Sequence, residues 1–105
     1  MVAKVALLSV FFKAGIVEFA TGLVERGFVI YSSTGTFKAL KDAGVPVTDI
    51  AEVTGMPSIL GHRVVTLHPK VHGGLLSLEI EEHLRDLEQY VIPKIGLVCV
   101  DLYPL

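Results

Sequence analysis

The chain has 105 residues, 51% of them hydrophobic, which suffices for one domain with a modest core but not for two catalytic domains. We therefore predict a single domain over residues 1–105. The formal net charge of −2 argues against a nucleic-acid partner, because nonspecific binding needs many cationic contacts to phosphates.

The N-terminal apolar run predicts a buried strand rather than a membrane anchor. Apolar residues fill most of Lys4–Val10, as in a strand covered on both faces of a parallel sheet. The longer run 5–12 is too short to span a bilayer, and no small-residue cleavage site of a signal peptide follows it. We expect a cytoplasmic protein with no membrane partner.

A helix, a second strand and a hydroxyl-rich turn follow. Apolar residues at helical spacing predict a helix from Ile16 that Gly27 ends, and Phe28–Tyr31 is the second strand. The turn Ser32–Thr36 leads into a predicted helix over Phe37–Ala43. Such a turn can bind phosphate with the free N–H groups of the helix start, or its hydroxyls can simply cap the helix. Both interpretations stay open, because one residue can do both.

The second half of the chain predicts shorter elements and a final strand. Val45–Ile50 is typical of a short third strand, and Ser58–Leu60 of one helical turn. Ile80–Tyr90 carries apolar residues on one face and charged residues on the other, which predicts a surface helix with a solvated charged face. After Pro93, the apolar run Ile95–Leu102 predicts a buried last strand.

Alternating strands and helices predict a three-layer, Rossmann-like α/β fold. Right-handed crossovers would place four or five parallel strands in one sheet with helices on both faces and the first strand central. Ligands of such sheets bind outside the carboxyl ends of the strands. Ser9, the turn Ser32–Thr36 and Tyr103 fall at predicted strand ends, so we expect them to converge on one edge of the sheet.

One stretch, Gly61–Gly74, differs in composition from the rest of the chain. It combines cationic side chains, imidazoles, a hydroxyl and glycines within an otherwise apolar sequence. This composition indicates one wall of a site for a phosphate-bearing ligand. The alternative is a solvated loop lined by Arg63, His68, Lys70 and His72.

Four motifs together resemble one enzyme family. Thr66–Gly74 is similar to the T-L-H-P-K-x-H-G-G signature of IMP cyclohydrolase, the part of a bifunctional purine-biosynthesis enzyme that accompanies AICAR transformylase. Ser9–Gly15 stands where that family has S-V-S-D-K-T-G, Ser32–Thr36 where it has S-T-G-G-T, and Asp101–Leu105 where it has N-L-Y-P-F. The resemblance covers nearly the whole chain and implies a methylglyoxal-synthase-like fold.

The resemblance also implies a reaction and a set of site residues. The reaction is the cyclisation of FAICAR to IMP, in which an amine attacks a formamide carbonyl and water leaves, with no metal and no organic cofactor. Such chemistry needs oxyanion stabilisation and proton transfer. Catalysis is implied for Tyr103, Arg63 and Thr66. Contacts to the purine nucleotide, mainly to its phosphate, are implied for Ser9, Lys13, Ser33, Thr34, Gly35, Thr36, Arg63, Thr66, His68 and Lys70.

The chain departs from that family at several positions. Val65 stands where the family has a catalytic lysine, and Phe11 and Phe12 replace a Ser-Asp pair. The sequence reaches Leu105 without the downstream catalytic segment of the family, so a separate partner chain that supplies the segment is one expectation. The mean hydropathy of +0.62 predicts apolar surface covered by self-association, in a homodimer or a higher oligomer.

Three functions follow as hypotheses. The first is an IMP cyclohydrolase-like enzyme whose turnover is impaired or depends on a partner. The second is a noncatalytic purine-nucleotide- or phosphate-binding regulatory module with the same fold, for which Val65 argues. The third, a methylglyoxal synthase, is weaker because the glycine-aspartate catalytic motif of that family has no counterpart in the sequence.

Overall fold

The computed structural model describes residues 4–61 and 63–102, and within these ranges it contains four strands and five helices. None of these helices is long and apolar enough to cross a membrane. The elements in chain order are β1 (Lys4–Ser9), α1 (Ile16–Glu25), β2 (Phe28–Ser32), α2 (Thr34–Asp42), β3 (Thr48–Asp49), α3 (Ala51–Thr54), α4 (Pro69–Leu76), α5 (Glu81–Gln89) and β4 (Leu97–Val100).

The four strands form one parallel sheet in the order β3-β2-β1-β4. β1 is therefore central, as predicted, with Leu8 opposite Ser32 of β2 and Ser9 opposite Val100 of β4. Successive strands are added to one side of β1 as far as β3, and β4 is then added on the other side of β1. The direction of strand addition therefore reverses between β1 and β4. The crevice outside the carboxyl ends of two such strands is the usual ligand site of an α/β sheet.

Alternate residues of β1 build two cores, because successive side chains of a strand point to opposite faces. Ala6 and Leu8 join one apolar cluster with residues of α1 and α2. Val5 and Leu7 join a second cluster on the opposite face, which includes Val71 of α4. Helices thus cover both faces of the sheet, and the predicted three-layer α/β fold is confirmed.

Helix α4 is the main element that the sequence did not predict. The last six residues of the stretch Gly61–Gly74 are helical. The helix begins at Pro69, a residue that suits the first turn of a helix because it has no N–H to leave unpaired. A Cβ atom on Gly74 would lie 2.1 Å from the carbonyl oxygen of Pro93, and the N–H of Ile95 donates to the carbonyl of Gly74 at 3.0 Å. Gly74 therefore serves close packing of α4 against the chain that enters β4.

Two other local predictions are wrong. Ser58–Leu60 forms no helical turn, because Ile59 pairs with Val64 in an isolated antiparallel bridge. The last strand is not buried: Leu97 and Cys99 pack against the first cluster, but Val98 and Val100 are 45% and 60% exposed. Exposure alternates along β4, because one face of this strand packs against the first cluster and the opposite face, which carries Val98 and Val100, is left exposed.

Candidate functional site

Three hydroxyl side chains meet where β1 and β2 end. The Oγ of Ser9 lies 2.9 Å from the Oγ of Ser33, which in turn lies 3.3 Å from the Oγ1 of Thr36. Thr36 is fully buried, and the two serines are partly buried. We call Ser9, Ser33 and Thr36 the hydroxyl cluster. Parallel strands end at the same edge of a sheet, and for this reason residues distant in sequence come together there.

The hydroxyl cluster lies at the N-terminus of α2, which begins earlier than predicted. Ser33 occupies the N-cap position, and no side chain caps the helix. Thr34, Gly35 and Thr36 form the first turn, whose N–H groups have no acceptor within the helix. Since the hydroxyl of Ser33 contacts Ser9 instead of capping, the positive end of α2 is available for an anion.

Lys13 places a cation beside this helix start. Its Nζ donates to the carbonyl oxygen of Phe11 at 3.1 Å and to that of Val10. A Cβ atom on Gly35 would stand 3.9 Å from the same Nζ, so the ammonium lies close to the first turn of α2. Because Lys13 and Gly35 are exposed, an anionic ligand can approach both from solvent.

Asp101, which the sequence did not predict as a site residue, binds the backbone of the same loop. Its Oδ1 accepts from the N–H of Phe11 at 2.6 Å and its Oδ2 from the N–H of Phe12 at 2.9 Å. These two hydrogen bonds, helped by the charge of Lys13, hold the pKa of Asp101 below its ordinary value of 3.8. One feature of the sequence could have indicated this role: Asp101 is a carboxylate directly after a strand, at the edge of the sheet where ligands bind.

The other predicted binding residues lie on the segment that leads into α4 and in the first turn of that helix. Arg63 is exposed and Thr66 is partly exposed. His68 caps α4, since its Nδ1 accepts from the N–H of Lys70 at 3.0 Å. Lys70 and Tyr31 both line an open cavity of about 450 Å³. Within residues 4–61 and 63–102, no hydrogen bond or ion pair joins these side chains to the hydroxyl cluster.

Val65 packs against the core, at the position where the resemblance expects a lysine. It is partly buried and lies against the second apolar cluster, which contains Ile50 and Val71. Its side chain therefore contributes to packing and offers no proton or positive charge. Tyr103, the other residue expected in ring closure, lies outside the described residues.

Curated proteins similar to this chain are much longer than it is. The bifunctional purine biosynthesis protein PurH of Desulfitobacterium hafniense is 56% identical over 99 residues, which are 94% of this chain and 19% of that protein. PurH of Deinococcus deserti is 52% identical over 101 residues, 96% of this chain and 20% of its own length. The chain thus spans about one fifth of these relatives.

A solved structure and a domain family agree with these matches. The crystal structure of ForH superposes with a TM-score of 0.84 at 42% identity, covering 97% of this chain and 54% of that one. The MGS-like domain family matches residues 15–105. The resemblance drawn from the four motifs is confirmed by these similarities, and the chain belongs to the MGS-like domain family.

Proposed function

We propose that this chain binds a purine nucleoside monophosphate of the FAICAR or IMP type, with the phosphate at the hydroxyl cluster. The observation that carries the proposal is the series of contacts from Ser9 through Ser33 to Thr36, with Lys13 beside the same helix start. Hydroxyl and N–H groups can donate to the phosphate oxygens, and the ammonium offsets the negative charge. Hydrogen bonds between charged partners are roughly twice as strong as neutral ones.

We further propose that the chain is an IMP cyclohydrolase-like protein of purine biosynthesis. The support is its 56% identity to PurH, a protein named for purine biosynthesis. In the proposed reaction the carboxamide nitrogen of FAICAR attacks the formamide carbon of the same molecule, and the formamide oxygen leaves as water with two protons that the carboxamide and formamide nitrogens lose. Arg63, Thr66 and Tyr103 are the proposed contributors to oxyanion stabilisation and proton transfer.

Val65 favours a second candidate, a nucleotide-binding module without catalysis. An apolar side chain packed against the core cannot replace a lysine that stabilises charge. Loss of one preorganised charge-stabilising group lowers turnover by about 10²- to 10³-fold. We therefore propose that this chain alone binds the nucleotide but cyclises FAICAR at least about 10²-fold more slowly than a complete PurH.

Two measurements on the purified chain distinguish these functions. Calorimetry with IMP tests binding, and steady-state cyclisation of FAICAR tests turnover. Binding with slow or no turnover supports the module, binding with turnover near that of a complete PurH supports the enzyme, and absence of binding contradicts both. Ser9→Ala and Lys13→Ala should weaken binding, whereas Lys38→Ala on the exposed side of α2 removes the same charge as a control.

We also propose that the chain self-associates, as a homodimer or a higher oligomer, through the exposed face and the open edge of β4. Val98, Val100 and Leu102 are 45%, 60% and 91% exposed, and no strand among the described residues pairs with this edge. Natural proteins cover or charge such apolar edges, because an open edge invites further strand pairing. A separate chain that supplies a downstream segment is the competing occupant.

A further inference from the structure

The loop after β1 crosses the crevice between the ends of β1 and β4. It comprises residues 10–13, and it carries the cationic side chain of Lys13, which contacts the backbone of the same loop. Asp101 follows β4 directly, so it stands on the opposite side of the same crevice. The position of this loop decides where the ammonium of Lys13 stands relative to α2.

The loop backbone is held from two sides. On the side of α2, the Oγ1 of Thr36 accepts from the N–H of Val10 at 3.1 Å and lies 3.2 Å from its carbonyl oxygen. On the side of β4, the carboxylate of Asp101 accepts from the N–H groups of Phe11 and Phe12. Lys13 then folds back onto the carbonyls of Val10 and Phe11. The carbonyls that orient the ammonium thus belong to the peptide groups that Thr36 and Asp101 fix.

We propose that Asp101 is a positioning residue, which holds the loop of residues 10–13 so that Lys13 is preorganised beside the N-terminus of α2 for a phosphate group. The proposal rests on the proposed nucleotide binding at the hydroxyl cluster. Asp101 itself does not contact the ligand in this arrangement. Its effect on affinity passes through Lys13.

Removal of Asp101 can either weaken or strengthen ligand binding, and the direction of the change distinguishes a positioning role from simple charge repulsion. A carboxylate near a phosphate repels it, so removal of Asp101 should strengthen binding if only charge matters. If Asp101 positions Lys13, its removal should weaken binding, because the ligand must then order a mobile loop and a long side chain. Ordering one such side chain corresponds to a roughly two- to tenfold loss of affinity.

A double-mutant cycle with IMP as the ligand tests the route through Lys13. Calorimetry should show weaker binding for Asp101→Ala than for the wild type, and equal binding for Lys13→Ala and the double variant. Asp101→Asn keeps one acceptor oxygen and should fall between the wild type and Asp101→Ala. Asp86→Ala, which removes an exposed carboxylate on α5, should bind like the wild type. Unchanged or tighter binding by Asp101→Ala, or a loss that persists without Lys13, would overturn the proposal.

A measurement without ligand keeps the two proposals separate. NMR relaxation at the ε-methylene group of Lys13 should show a lower order parameter in Asp101→Ala than in the wild type, with Lys38 as the internal reference. The N–H groups of Phe11 and Phe12 should exchange faster with solvent in the same variant. If the wild type binds no IMP, the proposed function fails and the relaxation data alone decide the positioning role. An unchanged order parameter at Lys13 would overturn it.

Discussion

Replacing Val65 by lysine tests whether the side chain at this position serves the packing of the core or the chemistry of the site. Full burial of a valine side chain is worth about 1.5–3 kcal/mol, and Val65 is only partly buried against the second apolar cluster. The lysine stem can cover some of the same surface while its ammonium reaches water, so we expect a loss of about 1–2 kcal/mol. For a domain of this size, each kcal/mol lowers Tm by about 4–8 °C.

The assay combines thermal unfolding with FAICAR cyclisation by the same preparations. Val65→Lys should lower Tm and recover little turnover, because catalytic groups act as a unit and one restored group does not replace the rest. Leu67→Lys is the matched control, since Leu67 is 76% exposed and the substitution adds the same charge two residues further along. This control should leave Tm nearly unchanged.

The opposite result would refute the reasoning. If Val65→Lys raises turnover by about 10²-fold or more, the missing lysine alone limits catalysis and the side chain at position 65 reaches the site. If its Tm equals that of the wild type, the packing of Val65 contributes nothing measurable to stability. A drop in Tm for Leu67→Lys as large as that for Val65→Lys would show a nonspecific effect of added charge.

Four further outcomes are expected. Arg63→Ala should weaken nucleotide binding by roughly 2 kcal/mol, the cost of losing a charged hydrogen-bond partner, and equal calorimetric affinity for IMP would exclude Arg63 from the site. Gly74→Ala should lower Tm because its Cβ would meet the neighbouring carbonyl at 2.1 Å, whereas Gly22→Ala within α1 should raise stability by about 0.5–1 kcal/mol. Val100→Lys should shift sedimentation toward monomer, and a wild type that is monomeric at micromolar concentration would reject the interface. Urea unfolding should give a larger free energy of unfolding for the wild type than for Asp101→Asn at neutral pH. Because the folded-state pKa of Asp101 is lowered, this difference is fully present above pH 3.8 and is lost as the pH falls through the folded-state pKa.

Much of the fold could be predicted from local sequence, because strands buried on both faces need continuous apolar runs. The run from Lys4 gave β1 and its central place, and Ile16 and Gly27 bracket α1 as predicted. The parallel arrangement then placed Ser9 and the turn after β2 at one edge of the sheet. The family resemblance rested on the residues of four motifs, and the sequence comparisons confirmed it.

The tertiary structure alone decided features that depend on partners far along the chain. Helix α4 has two glycines and no clear apolar stripe, so local propensity does not predict it. Close packing against Pro93 and Ile95 accounts for Gly74. An apolar run indicates a strand but not what packs against it, and therefore β4 was expected to be buried although one of its faces is exposed. Asp101 binds N–H groups about ninety residues earlier in the chain, a pairing that exists only because β1 and β4 are adjacent.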